Sequence, residues 1–96
     1  MKDVEALQAL RSRFRQTDRQ LLKLLAKRCA LAQQMGALKQ QQHLQVVQPE
    51  VWQKQLARRR TESLALGIRP EFVLGVFQLL HRESVRIQQA EINKVK

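Results

Sequence analysis

The first half of the chain contains a continuous stretch of helix-forming sequence that is longer than a small globular domain is wide. No proline occurs from position 4 to position 42, and Gly36 is the only glycine there. Apolar residues recur along this stretch at helical spacing. They are Leu7, Leu10, Phe14, Leu21, Leu25, Ala32 and Met35. Such a helix measures ~57 Å, whereas a compact domain of this size has a radius of gyration of only ~13 Å. We therefore expect the helix to overhang its own chain and to be covered by a partner chain.

Two prolines mark the starts of two further helices. Residues 43–48 break the helical pattern and are predicted to form a loop. Pro49 then suits the first turn of a second helix, because the N–H that proline lacks has no partner in that turn. This helix is expected to end near Leu66, with Gly67 as its C-terminal stop.

The third helix and the composition complete an all-α prediction. The third helix is expected from Pro70 to about Gln89, followed by a polar tail from Ala90 to Lys96 that frays. The chain has only 3 Gly and no Tyr, and helix-forming residues dominate it. The prediction is a single domain over residues 1–96, all-α, with three helices per chain, a long N-terminal helix and a homodimeric assembly.

The chain is strongly basic, with 18 Lys and Arg against 8 Asp and Glu and a formal net charge of +10. A field of this sign concentrates anions, which include nucleic acids, acidic lipids and small carboxylate or phosphate substrates. Lys54 and the run Arg58, Arg59, Arg60 form a basic stretch that can contact nucleic acid. We expect a solvated helix face instead, because no helix-turn-helix signature or aromatic stacking platform accompanies the stretch.

Other features limit the location and the chemistry. The sequence shows neither a signal peptide nor an apolar run as long as a membrane span, which predicts a cytoplasmic protein with no membrane contact. The single Cys29 excludes an intramolecular disulfide. His43 and His81 have no second ligand at metal spacing, and no metal site is expected.

Charged residues occupy positions where the long helix should bury apolar ones. Alternating steps of four and three from position 7 trace a heptad seam, and Arg11, Asp18, Arg28 and Lys39 lie on it. Burying such charges is unfavourable unless each finds a partner. Arg28 and Lys39 share one face of the helix, about 16 Å apart. They can line a pocket for an anionic ligand, or their aliphatic stems can carry the charges outward to solvent.

Polar residues also interrupt the apolar stripe of the third helix. Ser84 and Gln88 are spaced by four residues and therefore lie on the same side. A hydroxyl and an amide at this spacing can be directed at one ligand, or each can bond to the helix backbone.

These residues resemble those of a known family. The segments Ala9-Leu-Arg11, Asp18 to Arg28, Met35-Gly-Ala-Leu-Lys39 and Phe77 to Ser84 with Gln88 are similar to the AroQ-class chorismate mutases. The similarity extends from about Leu7 to Gln89 without a gap. The resemblance implies an intertwined dimer of three-helix chains. It also implies the isomerisation of chorismate to prephenate, a step of the shikimate pathway to aromatic amino acids.

The resemblance implies a role for each site residue. Arg28 of one chain and Arg11 of the other would clamp the two carboxylates of chorismate, and Ser84 would help to hold one. Arg11 lies about 26 Å from Arg28 along one helix, so only a second chain can bring it to the same site. Lys39 and Gln88 would donate hydrogen bonds to the ether oxygen.

The reaction so implied needs no metal or organic cofactor, because the rearrangement is pericyclic and uses no nucleophile. Negative charge grows on the ether oxygen as its bond breaks. An ammonium and an amide held at that oxygen therefore stabilise the transition state more than the ground state. Bidentate contacts from arginine to carboxylate hold the folded, reactive conformer of the substrate.

The start of the second helix departs from the family pattern. Family members usually carry an acidic residue, an Arg and a Glu here, and the Glu accepts a hydrogen bond from the C4 hydroxyl of the substrate. This chain has Gln48, Val51 and Trp52.

One interpretation of this departure is a chorismate mutase in which Gln48 takes over the C4 contact. A second is a mutase for 4-amino-4-deoxychorismate, with a cation–π contact between Trp52 and the C4 ammonium. Loss of catalysis in favour of a binding or regulatory role, and an isochorismate lyase, are further alternatives.

Overall fold

The computed structural model describes residues 2–94, and all of its regular structure is helical. Helix α1 spans Lys2–Gln41, α2 spans Pro49–Ala65 and α3 spans Pro70–Asn93. This confirms the all-α prediction of three helices with a long first one. By its internal contacts the chain divides into two units, residues up to Ala30 and residues from Leu31 onward. Each unit is described by itself below.

The predicted signals at the two ends of α2 are confirmed. Pro49 occupies the first turn, and the backbone of Gln48 before it is extended. At the other end, Gly67 adopts a positive φ of 71°. Its N–H donates to the Leu64 carbonyl at 3.2 Å, and the N–H of Ile68 donates to the Ser63 carbonyl at 2.9 Å. This pair of bonds is the Schellman arrangement, which satisfies the last carbonyls of the helix.

Helix α3 extends one turn further than its sequence predicted. The expected end near Gln89 and fraying from Ala90 were wrong, because the helix continues to Asn93. Two side-chain contacts stabilise this last turn. The Gln89 amide donates to Asn93 Oδ1 at 3.1 Å, and Lys94 Nζ lies 3.2 Å from Glu91 Oε2. The expected fraying of positions 95 and 96 lies outside the described residues.

The N-terminal unit is a helical segment whose apolar side chains stay exposed. Leu7 is 48% exposed, Phe14 71% and Leu21 55%, although all three occupy the seam. Burying a side chain of this size contributes about 1.5–3 kcal/mol. Burial of the seam against another protein surface would therefore be strongly favourable.

The C-terminal unit contains the packing between α2 and α3. Ser63 of α2 is 2% exposed, and its hydroxyl donates to the Arg60 carbonyl at 2.7 Å. The guanidinium of Arg59 lies over the ring of Phe77 on α3, 5.1 Å from the ring centroid. Arg59 also pairs with Glu62 at 2.7 Å.

Small and polar residues make up the buried interior. Among residues 2–94, the buried positions are Ala32, Gly36, Ser63 and Gln88. Ala32 is the one buried hydrophobic residue of that described part. Within the same residues, no helix combines the length and the hydropathy that a transmembrane span requires.

Gly36 permits a close contact between helix backbones in the C-terminal unit. A Cβ at this position would lie 2.9 Å from Gln88 Cα, 3.0 Å from the Gln88 carbonyl oxygen and 3.2 Å from Glu91 Cβ. The first two atoms are backbone and cannot turn away. Only glycine therefore lets the last turns of α1 meet α3 at Gln88.

We predict opposite effects of alanine at two helical glycines. Gly36→Ala gains about 1 kcal/mol of helix propensity but forces the packed backbones apart, which typically costs about 1–3 kcal/mol, so a net loss of stability is expected. Gly75→Ala is the matched control, because nothing lies within 4 Å of its added Cβ. That variant should be more stable than the wild type by about 0.5–1 kcal/mol. Urea unfolding followed by circular dichroism measures both, and stabilisation by Gly36→Ala would contradict the contact.

Candidate active site

The most buried polar side chain of α3 is Gln88, which is 4% exposed. Its amide nitrogen donates to Ser84 Oγ at 2.8 Å. The sequence left open whether these residues bond to helix backbone or face a ligand, and they bond to each other. Gln88 Oε1 is buried with no hydrogen-bond partner among the described residues. An unsatisfied buried polar atom costs about 1–3 kcal/mol, which marks this amide as a position for a polar ligand.

Lys39 lies one helical turn beyond the contact of Gly36 with Gln88. Its ammonium donates to the Val46 carbonyl at 2.8 Å, and this bond ties the loop after α1 to the helix. Burial lowers the pKa of Lys39 below its ordinary value, because desolvation disfavours the charged form. An ammonium has three donors, so the contact with Val46 leaves two for a ligand.

Trp52 is half-buried and contacts α3. Its indole stacks on the imidazole of His81, with ring centroids 3.8 Å apart and an interplanar angle of 11°. His81 precedes Ser84 by three residues and Gln88 by seven, so all three share one face of α3. The indole therefore lies toward the polar face of α3.

Sequence reasoning missed His81 as a neighbour of this cluster. It considered His81 only as a possible metal ligand and, without a second ligand at metal spacing, expected no metal site there. The signal was its spacing from Ser84, which places both on the same helix face. The stack with Trp52 depends on how α2 packs against α3, and no local pattern reveals that packing.

Gln48 and Val51 differ in their surroundings. Gln48 is half-buried at the N-cap of α2, where its side chain makes no capping bond and its carbonyl accepts from the Trp52 N–H at 3.0 Å. The Gln48 amide is thus not used to cap its helix. Val51 is 47% exposed. The first turn of α2 therefore offers an amide and an indole but no cation.

The two predicted arginines belong to the N-terminal unit. Arg11 is exposed and Arg28 is half-buried, both on α1. Asp18, between them, is exposed. That Arg11 and Arg28 bind the same substrate as Lys39, Ser84 and Gln88 stays a prediction.

The arrangement provides hydrogen-bond donors and an aromatic surface. Lys39 contributes an ammonium, Ser84 a hydroxyl and Gln88 an amide. Within residues 2–94, no three His, Cys, Asp or Glu side chains come together as a metal site requires. The described cluster is suited to stabilising negative charge on a bound molecule.

Comparison with known proteins identifies the family. A sequence model described as "Chorismate mutase type II" matches residues 10–89, which is most of the chain. The chain belongs to the type II chorismate mutase family. The matched range contains every residue that the sequence suggested for substrate binding. These are Arg11, Arg28, Lys39, Gln48, Trp52, Ser84 and Gln88.

Relatives of this chorismate mutase domain agree with the family match. A "T-protein" of Enterobacter agglomerans is 40% identical to it over 81 residues, which cover 84% of the chain. A "T-protein" of Haemophilus influenzae is 38% identical over 84 residues, which cover 88% of the chain. In each case the match spans 22% of the relative's own length.

The basic stretch of the chorismate mutase domain on α2 is not one open face. Arg59 is engaged with Phe77 and Glu62. Lys54, Arg58 and Arg60 are exposed. The stretch therefore divides between a packing contact and solvent-facing charges.

Proposed function

We propose that this chain catalyses the rearrangement of chorismate to prephenate in aromatic amino-acid biosynthesis in the cytoplasm. The family match over residues 10–89 supports the reaction class. The observation that carries the proposal is the buried Gln88 amide, which bonds to Ser84 and leaves Oε1 without a partner among residues 2–94. If the amide rotates so that Oε1 accepts from the Ser84 hydroxyl, its N–H becomes available to an acceptor, and the ether oxygen of chorismate is such an acceptor.

Lys39 and Gln88 are proposed to act on the ether oxygen. Negative charge grows on that oxygen as the C–O bond breaks, and the Lys39 ammonium and the Gln88 amide N–H stabilise it. Rotation of the Gln88 amide exchanges its oxygen and its nitrogen, so that the N–H is directed at substrate while the oxygen accepts from Ser84. Before the substrate binds, the Lys39 ammonium is held by the Val46 carbonyl and the Gln88 side chain is held by Ser84.

Arg28 and the Arg11 of a second copy are proposed to clamp the two carboxylates, with Ser84 assisting. Bidentate pairing holds the substrate in its folded conformer and lowers the entropic part of the barrier. Arg11 and Arg28 are about 26 Å apart along α1, so one chain cannot bring both to one substrate. The proposed site is therefore complete only in a homodimer.

The exposed seam supports the homodimer. Leu7, Phe14 and Leu21 repeat at heptad spacing and are about half or more exposed. Heptad apolar residues are the pattern by which one helix packs on another. A second copy of α1 presents the same pattern, and an isologous interface buries both sets at once.

The C4 end of the substrate is proposed to lie near Gln48 and Trp52. The Gln48 amide can accept from a C4 hydroxyl and takes the place of the usual carboxylate. One face of the Trp52 indole is covered by His81, and we propose that the other face contacts the substrate. This arrangement favours a second candidate substrate, 4-amino-4-deoxychorismate, because an indole face attracts an ammonium by about 0.5–2 kcal/mol.

The direct test is product analysis of the purified protein with each of the two substrates. We expect prephenate from chorismate at a rate far above the buffer control. Turnover of the 4-amino compound alone would make Trp52 the residue that selects the substrate. If neither compound reacts faster than in buffer, the catalytic proposal is wrong and a binding or regulatory role takes its place.

Two single substitutions distinguish the effect of a proposed site residue on catalysis from the effect of the chain's net positive charge. Arg28→Ala should reduce kcat/KM by about a thousandfold or more, because it removes a bidentate charge pair on the substrate. Lys54→Ala removes an equal charge from an exposed position of α2 and should change kcat/KM by less than about twofold. Chorismate consumption, followed by its ultraviolet absorbance, measures both. Equal losses would contradict the proposed pocket.

A further inference from the structure

Helix α1 carries a row of cations outside the proposed site. Arg15, Arg19, Lys23 and Lys27 follow one another at every fourth position. We call these residues the basic face of α1. All four are exposed, and none forms an ion pair with another described residue. No acidic residue occurs from position 19 to position 49.

The basic face is unfavourable for the helix that carries it. Residues four apart on a helix are neighbours, about 6 Å apart, and like charges at this spacing repel. Three such pairs follow one another here. Neutral glutamine has nearly the same helix propensity and would avoid the repulsion. An anionic counterpart would convert the repulsion into attraction.

The basic face lies away from the apolar seam. With about 100° of rotation per residue, Arg19 and Lys23 are each about 160° around the helix axis from Leu21, and Arg15 and Lys27 are each about 120° from it. A second copy packed on the seam therefore leaves the basic face open. Because the row contains neither Arg11 nor Arg28, it is also separate from the proposed carboxylate clamp.

We propose that the basic face of α1 binds an acidic segment of a partner protein, with carboxylates about 6 Å apart. Asp or Glu at every fourth position of a helix has this spacing and places one carboxylate beside each cation. Arginine and carboxylate also match in shape, because the guanidinium can donate two parallel hydrogen bonds.

The surroundings of the basic face favour a protein partner over nucleic acid. A helix that reads the DNA major groove is usually placed there by a motif such as helix-turn-helix. The sequence of α1 shows no helix-turn-helix signature. The four positions also provide no aromatic ring on which bases could stack.

The test compares two variants of equal charge. The α1 variant carries Arg15→Gln, Arg19→Gln, Lys23→Gln and Lys27→Gln. The control variant carries Lys54→Gln, Arg58→Gln, Arg60→Gln and Arg69→Gln, all at exposed positions. Each removes four charges, so the net charge is 10 − 4 = +6 in both. The probes are a labelled helical peptide with Glu at every fourth position and a short DNA duplex, at the same salt concentration.

Fluorescence anisotropy then decides among the outcomes. We expect the α1 variant to bind the acidic peptide about tenfold more weakly than the wild type, and the control variant to lose less than about threefold. Equal losses would overturn the proposal, because net charge alone would then explain binding. Tighter binding of the duplex, lost selectively in the α1 variant, would assign the face to nucleic acid. Absence of peptide binding by the wild type would overturn the proposal as well.

Circular dichroism provides a check on folding that does not depend on the probe. Both variants should retain the helical spectrum. The α1 variant should also melt at a higher temperature than the wild type, because its like-charge pairs are removed. A lower melting temperature would mean that the four cations stabilise the chain itself, and the proposal would be wrong.

Discussion

The proposed dimer and its shared site both depend on the apolar seam of α1. Its heptad residues remain exposed along the N-terminal unit, with Phe14 at 71%. Small soluble domains seldom leave such a stripe uncovered, because each buried side chain of this size contributes about 1.5–3 kcal/mol. The same stripe carries Arg11 and Arg28. Whatever covers the seam therefore also determines the surroundings of these two cations.

Within the C-terminal unit, the contact between Gly36 and Gln88 has a comparable role. The close approach of the two backbones determines where the C-terminal part of α1 packs on α3, and Gln88 is buried at this contact. Lys39 is one turn further along, which makes it the next side chain on that face of α1. A glycine, a buried amide and a half-buried ammonium thus form one structural unit, and its chemistry follows from its packing.

Much of the fold could be predicted from local signals. The absence of proline, the helical spacing of apolar residues and the two prolines at helix starts led to the correct number and order of helices. Gly67 was recognised as a stop because the left-handed backbone that ends a helix strongly favours glycine. The predicted end of α3 was wrong by one turn. Glu91 and Asn93 are polar, and the sequence does not reveal the side-chain contacts that they make in the last turn.

The candidate site was less accessible to sequence reasoning. Ser84 and Gln88 were identified from their positions on an apolar stripe, but their mutual hydrogen bond was not. The stacking of Trp52 on His81 and the packing of Arg59 on Phe77 depend on tertiary contacts between α2 and α3, which periodicity does not encode. The departures at Gln48 and Val51 were visible at once, but only the structure shows that Gln48 leaves its own helix uncapped.

Activity recovered by mixing two inactive variants tests the shared site most directly. Arg11→Ala and Arg28→Ala should each abolish chorismate turnover as homodimers. When the two variants are unfolded together and refolded as a mixture, about half of the dimers are mixed, and each mixed dimer has one intact site if Arg11 acts across the interface. We predict recovery of about a quarter of wild-type activity. If both arginines serve a site within one chain, every site in the mixture lacks one of them and no activity returns.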